Sequence, residues 1–429
     1  MTPRATLALA AALLRTRILH RWLTTRERIA TWQTWKLERL RRHAVAHIGF
    51  YREFGKAPLS TFPILGKQDV LRRFESFNLL GLSASQVWAM IDRAEPPAGY
   101  DVGCSTGTSG SRGLYLISDQ ERFVWLGTIV AKALRLSLWR PQRVAIVLPR
   151  MSRLYSAANE SRLLKLLFLD LADGLQAAAT ALVAFKPTVV VGPPKALRWF
   201  AENRTPISPQ QMFSAAEVLD PPDREAIERH YQLKLREIYM ATEGLFAVSC
   251  ERGTLHLAED VVHFEFEPVG ISTDLVRPIV TDFTRRIQVT ARYRMGDILR
   301  LDRKRCACGS ALQAVSEIIG RSDDVFRLPH RDASLPPIML TPDILRNAVL
   351  AADPSIDDFR VRQIEQNVIE VVLPLHVSGA VGELARQAVV RACARALTSP
   401  EVRLRREPLP VRTDMKLRRV ENCCNSGSL

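Results

Sequence analysis

Ser105-Thr106-Gly107-Thr108-Ser109-Gly110, continued by Ser111, Arg112 and Gly113, is a run of hydroxyls and glycines between two apolar segments. Glycines let a backbone approach an anion and aim successive N–H groups at it, and Ser and Thr hydroxyls add donors that rotate toward phosphate oxygens. The same composition also describes a plain turn or a flexible linker. What lies downstream decides between these readings.

Short apolar runs, Val144 to Leu148 and Thr188 to Val191, are each ended by Pro or Gly and alternate with helical patterns, among them Arg162 to Leu171. That alternation predicts a layered α/β domain. Upstream, Leu37, Leu40, Ala44, Val45 and Ile48 share one face at helical spacing, so the first hundred residues read as helix-rich. After Gly320-Arg321 the texture changes again, with a strand at Val368 to Leu373 and a helix from Gly382 to Leu397. The expected division is 1–100, a helix-rich segment of a large domain; 101–320, an α/β core; and 321–429, a small mobile α+β lid.

The chain has 429 residues, 47% of them hydrophobic, enough for two or three domains. Seven scattered cysteines make no disulfide framework, which suggests a reducing compartment. The stretch TLALAAALL (Thr6 to Leu14) is followed by Arg15, Arg17 and Arg21 and has no small-residue cleavage site. It reads as an amphipathic helix rather than a signal peptide or a span, so a cytoplasmic protein without a stable membrane anchor is expected. A net charge of +15 favours anionic partners, such as nucleotides, coenzyme A or an acidic carrier protein. The arginines are dispersed on helices without an aromatic platform for bases, so nucleic acid is not expected.

Four constellations follow the loop in order. Tyr239-Met240-Ala241-Thr242-Glu243-Gly244 ends a strand with an aromatic, a hydroxyl and a carboxylate, types suited to a purine, a phosphate and magnesium. Tyr293-Arg294-Met295-Gly296-Asp297 places an Asp where it could accept both hydroxyls of a ribose. Gly320-Arg321-Ser322-Asp323-Asp324 sits at the composition boundary, and Pro410 to Arg419 carries Lys416. Singly these are a strand end, a surface turn, a linker and a basic tail.

Together, with Ala215-Ala216-Glu217, they resemble the adenylate-forming superfamily of acyl and aryl CoA ligases, from about residue 30 to 420. The nearest branch is that of phenylacetate-CoA ligase and coenzyme F390 synthetase. WQTWKLERL, LHLAED and TDFTRR point to one subgroup of it. The resemblance implies an AMP-forming ligase in which Ser105, Thr106, Gly107, Thr108, Ser109 and Gly110 clamp the β- and γ-phosphates of ATP. It puts Tyr239 against adenine, with Ala215, Ala216 and Glu217 lining that pocket. Thr242 would contact the α-phosphate, Glu243 hold Mg²⁺, Asp297 hold the ribose, and Arg321 reach ribose or phosphate. Asp323 would be the hinge, and Lys416 would bond carboxylate and α-phosphate together.

The implied substrates are ATP and an organic carboxylic acid, aromatic acids included; the implied acceptor is coenzyme A or the phosphopantetheine arm of a carrier protein. An amine acceptor and a non-catalytic nucleotide-binding scaffold are the alternatives. Phe123 to Gly127, Tyr155 to Glu160 and Phe246 are candidate lining for the acid. Two departures stand out. Arg112 occupies the end of the loop where the family has Pro and Lys, and Val325 to His330 replaces an Arg-Gly-x-Asn-like stretch used for thiolation. Separately, Cys250, His256, Cys306 and Cys308 offer three thiols and one imidazole for a structural zinc, against a reading as buried thiols and a core histidine.

Overall fold

A computed structural model describes residues 3–105, 112–134, 141–148, 164–270, 272–411 and 416–424. Helices α1 (Pro3–Trp22), α2 (Arg26–His47), α3 (Lys67–Arg72) and α4 (Ala84–Arg93) open the chain. The hairpin β1 (Tyr100–Cys104) and β2 (Leu114–Ser118) follows, then α5 (Asp119–Ala133). An α/β stretch comes next: β3 (Gln142–Leu148), β4 (Leu164–Asp170), α6 (Leu175–Phe185), β5 (Val189–Gly192), α7 (Pro194–Glu202), β6 (Gln211–Ala215), α8 (Pro221–Tyr231) and β7 (Leu235–Ala241). Strands then succeed one another: β8 (Gly244–Ser249), β9 (Leu255–Leu257), β10 (Val262–Val269), β11 (Ser272–Asp282), β12 (Tyr293–Arg294), β13 (Asp297–Leu301) and β14 (Ala314–Arg321). The C-terminal part holds β15 (Phe326–Leu328), β16 (Ile338–Leu340), α9 (Pro342–Leu350), β17 (Arg360–Glu365), β18 (Val368–Leu373), α10 (Gly379–Arg395), β19 (Glu401–Arg406) and β20 (Val420–Asn422).

One twelve-stranded sheet runs β10-β11-β13-β14-β9-β8-β7-β6-β5-β3-β4, with β12 against β11. Its β7-β6-β5-β3-β4 half is parallel and its other half antiparallel. The carboxyl ends of the parallel strands lie along one edge of the sheet, those of β6 and β7 next to the seam where the pattern changes, and ligands of such sheets sit outside carboxyl ends. α2 lays Leu40 and Ala44, and its C-cap Ile48, on a core shared with Tyr239, Phe246 and Tyr293. The helical N-terminal segment thus packs directly on the sheet.

Arg162 to Leu171 reads as helix in the sequence, but Leu164 to Asp170 is strand β4, in parallel register with β3 from Gln142/Leu164 to Leu148/Asp170. Leu164, Leu166 and Phe168 face the α5 cluster, and Leu167 and Leu169 face α6. A strand covered on both faces is apolar throughout, so its run carries no alternation to separate it from a helix.

Residues from Phe326 onward bury their own cluster, including Phe326, Leu345, Phe359, Val371 and Val389, around a sheet ordered β19-β18-β17-β20. α10 covers that sheet, with Ser378 as its N-cap. The last segment, Lys416 to Asn422, returns along β17 and touches the large sheet's loops on the way.

Candidate functional site

A cavity of about 1080 Å³ opens where β6, β7, β13 and β14 end and the Lys416 segment returns. β6 supplies its first wall. Ala215 is the last inward residue of the strand and packs with Leu126 and Ile238 in the core, so it does not line the cavity as the sequence suggested. Ala216 has left-handed backbone, φ 72°, an uncommon state for a residue with a Cβ. That turn aims Glu217 inward, where its buried carboxylate pairs with Lys195 Nζ at 2.9 Å and accepts the Leu417 N–H at 3.0 Å.

β7 supplies the second. Tyr239 is buried against Phe246, ring centroids 5.4 Å apart, and its hydroxyl donates to Asp297 Oδ2 at 2.7 Å. Burial, reinforced by Asp297, pushes the Tyr239 phenol well above its ordinary pKa, so it stays a donor. Thr242 and Glu243 form the turn into β8, held from behind by Arg285 Nη2 on both carbonyls at 3.3 and 3.2 Å. The Glu243 carboxylate faces Tyr293, whose phenol is likewise raised by burial and by that carboxylate.

Asp297 opens β13 after Gly296, and Arg321 at the end of β14 lies with Nε 3.9 Å from Asp297 Oδ1. The Ser322 N–H donates to the Gly296 carbonyl at 2.7 Å, which ties the residue before Asp323 to the Asp297 turn. Asp323 lines the cavity, and the neighbouring Asp324 is buried against Arg418. Lys416 enters from the C-terminal side. Desolvation and then Arg321 lower its ammonium below the ordinary lysine value, opposed by Asp297, Glu217 and Glu243.

The phosphate-loop stretch joins β1 to β2 in the chain. Ser105 and Gly113 close it with two hydrogen bonds of 2.8 Å, Ser105 N–H to the Gly113 carbonyl and Gly113 N–H to Ser105 Oγ. Ser105 and Arg112 line the cavity; Thr106, Gly107, Thr108, Ser109 and Gly110 lie outside the described residues. Residues drawn from positions 105 to 416 thus meet around one space.

One side chain of the expected lining, Trp125 within Phe123 to Gly127, stands in the deeper wall. Phe123 and Phe246 are in the core, and Tyr155 to Glu160 lie outside the described residues. Glu121, one turn before Trp125 on α5 and outside the expected stretch, faces the cavity beside it. Tyr115 and Ile117 do so from β2, whereas Leu114 and Leu116 face the core. Period-two alternation in Leu114-Tyr115-Leu116-Ile117 was the available signal. Gly103 is needed here, since a Cβ on it would collide with the Tyr115 ring crossing β1. Lys67, the first residue of α3, was also missed; it stands near Glu243 and Asp323, with its ammonium lowered by burial and Arg321.

Away from the cavity, the ligand atoms of Cys250, His256, Cys306 and Cys308 all lie within 4.8 Å of one another. Cys250 Sγ and Cys306 Sγ are 3.9 Å apart, and Cys308 Sγ is 3.3 Å from His256 Nε2. Tetrahedral zinc with bonds of about 2.3 Å to sulfur needs sulfurs about 3.8 Å apart, so donor set and spacing both fit. His256 Nδ1 lies 3.1 Å from the Leu312 carbonyl, which presents Nε2 to the thiols.

No protein-family profile and no curated protein matches this chain. Solved structures do. A 2-hydroxyisobutyryl-CoA ligase in its postadenylation state, in complex with R3-HIB-AMP, superposes with a TM-score of 0.68 at 17% identity over 94% of this chain and 91% of that one. The same ligase with 2-HIB-AMP and CoA in its thioesterification state gives 0.53 at 19% identity, over 92% and 90%. An ATP-bound RpMatB-BxBclM chimera gives 0.53 at 15% identity, over 71% and 63%. The chain has the fold of the adenylate-forming CoA ligases.

Proposed function

We propose that this protein is an ATP-dependent, AMP-forming ligase that activates an organic carboxylic acid and passes the acyl group to a thiol. The observation that carries this reading is the convergence of Lys416, Glu243, Asp297 and Arg321 on one cavity beside the Ser105–Gly113 hairpin mouth. A binding scaffold has no use for a magnesium-type carboxylate and an inward lysine together.

In the first step a carboxylate oxygen attacks the α-phosphorus of ATP, a C–O–P mixed anhydride forms, and the bond to the β-phosphate oxygen breaks with release of pyrophosphate. Both reactants are anions, so the protein's task is charge stabilisation and alignment; no general base is needed. Asp297, oriented by the Tyr239 hydroxyl, accepts the ribose hydroxyls. Thr242 donates to the α-phosphate, and Lys416 bridges that phosphate and the carboxylate. Ser105 and Arg112, with Thr106 to Gly110, hold the leaving phosphates, assisted by Lys67. Glu243 would hold Mg²⁺, which neutralises the developing pyrophosphate charge when bound. The lining formed by Met90, Ile91, Tyr115, Ile117 and Trp125 supports an acid with an aromatic or branched apolar group.

In the second step the thiolate of coenzyme A or of a phosphopantetheine arm attacks the acyl carbon and AMP leaves. Within this proposal residues 321–429 form the lid, turning about Asp323. Cys250, His256, Cys306 and Cys308 hold a structural zinc that ties the turn after β8 to the loop before β14, bracing the nucleotide side of the cavity without taking part in chemistry.

The test is exchange of labelled pyrophosphate into ATP over a panel of carboxylic acids. Exchange is expected with at least one aryl or branched acid. A folded protein that exchanges with none would overturn the enzymatic reading in favour of a nucleotide-binding scaffold. Addition of coenzyme A, carrier protein or amine to the active acid then identifies the acceptor.

A further inference from the structure

Helix α1 is apolar on two opposite faces. Leu9, Ala12, Thr16, Leu19 and Leu23 turn inward, toward α5 and the Trp32 cluster. Leu7, Leu14, Ile18 and Trp22 point outward at 71%, 60%, 56% and 42% exposure. At 3.6 residues per turn these four, with Ala11, lie within about 40° of one line along the helix. A helix apolar all round is normally enclosed. This one is enclosed on one side.

Its borders are cationic. Arg17 and Arg21 flank the stripe on one side and Arg15 on the other, and no Asp or Glu precedes Glu27. Arg15 continues into a cluster on α2 and the loop after β11. Lys36 Nζ sits 4.6 and 4.8 Å from the Trp32 and Trp35 ring centroids, and Arg39 lies over Trp35. Burial and the nearby Arg15, Arg39 and Arg286 depress Lys36 to about 8. Arg15 Nε and Nη2 and Arg286 Nη1 are buried without a hydrogen-bond partner among the described residues. Asp260, the carboxylate that acts most on Arg15, is already paired with Lys132 at 2.7 Å, and Glu121 accepts the Arg286 and Ile287 N–H groups.

We propose that this face seats the protein on an anionic phospholipid bilayer, with Leu7, Leu14, Ile18 and Trp22 in the headgroup–acyl boundary and Arg21, Lys36 and Arg39 on lipid phosphates. An apolar stripe with a terminal Trp and arginine borders is the pattern of a helix lying in the interface plane. It lies on the membrane rather than across it: among the described residues, no helix is long and apolar enough to span. A second copy fits less well. Pairing α1 with α1 would set arginine borders against each other with no acid between them. The four outward side chains also offer only roughly 400 Å², about half of what each partner buries in a standard interface.

The test is co-sedimentation of the full chain with vesicles of phosphatidylglycerol and phosphatidylcholine, against phosphatidylcholine alone. Binding is expected only with the anionic lipid, falling as salt rises. Leu14→Gln with Ile18→Gln, both at exposed positions, should weaken binding at least tenfold with an unchanged melting temperature. Lys36→Gln and Arg39→Gln should each cost about fivefold. No binding to anionic vesicles at low salt overturns the proposal, as does equal binding by the Leu14→Gln/Ile18→Gln protein. So does a concentration-dependent dimer, abolished by Ile18→Gln, in a protein that ignores vesicles. None of these readouts depends on the ligase reaction.

Discussion

Arg419 stands three residues after Lys416 and is 8% exposed. Its guanidinium bonds Asp220, meets Asp223 at 2.7 and 3.1 Å, and reaches Asp358 at 3.1 Å. Asp220 is the residue before α8 and Asp223 lies in its first turn, so the ion cluster pins the returning C-terminal segment to the large sheet's layer. Arg419→Met would leave two buried carboxylates short of a cation. Arg198 still bonds Asp223 at 3.0 Å and Arg346 lies 3.4 Å from Asp220, which puts the loss at the low end of the range for breaking a buried pair, about 3 kcal/mol. If that cost falls on docking of the Lys416 segment, adenylation slows by roughly 100-fold, since each 1.36 kcal/mol is a factor of ten. Under the proposed mechanism Lys416 serves adenylation alone, so thioester formation from supplied acyl-AMP should change by less than about threefold. The assay is pyrophosphate exchange beside thiol-dependent consumption of the adenylate, with a melting curve for each protein. Undiminished exchange in Arg419→Met would refute the reasoning. A parallel fall of both half-reactions with the melting temperature would reduce Arg419 to a fold-stabilising residue.

Lys416→Gln should abolish exchange while ATP still binds, measured by calorimetry; full activity would displace Lys416 from its role. Because desolvation lowers the Lys416 pKa, its cation is lost as pH rises at values below the ordinary lysine range, so the alkaline limb of exchange should appear there and vanish in Lys416→Gln. In the same window the unfolded chain binds the extra proton, so this residue makes stability rise with pH while activity falls. Zinc analysis of purified protein should return about one equivalent. Cys308→Ala should lose the metal and melt lower; a metal-free protein with Cys308→Ala as stable as its parent would remove the zinc.

How much was legible beforehand follows from the range of the interactions. Strands β3, β5, β7 and β18 and helices α2 and α10 are announced by periodicity and by Gly or Pro at their ends, because those signals act within a few residues. The order of Ser105, Glu243, Asp297, Asp323 and Lys416 is likewise a property of the chain. Side-chain direction across layers is not. Leu164 to Asp170 became a strand because both its faces are covered, Ala215 turned inward while Ala216 took a left-handed turn, and Trp125 rather than Phe123 reached the cavity. Glu217 meeting Leu417, Arg419 meeting Asp223, and Lys67 arriving beside Glu243 join residues nearly two hundred positions apart. The sequence by itself determined which chemical groups are present and in what order. Only the tertiary structure decided which of them share one low-dielectric space, because that depends on where the carboxyl ends of β6 and β7 lie beside the seam and where the C-terminal segment is clamped.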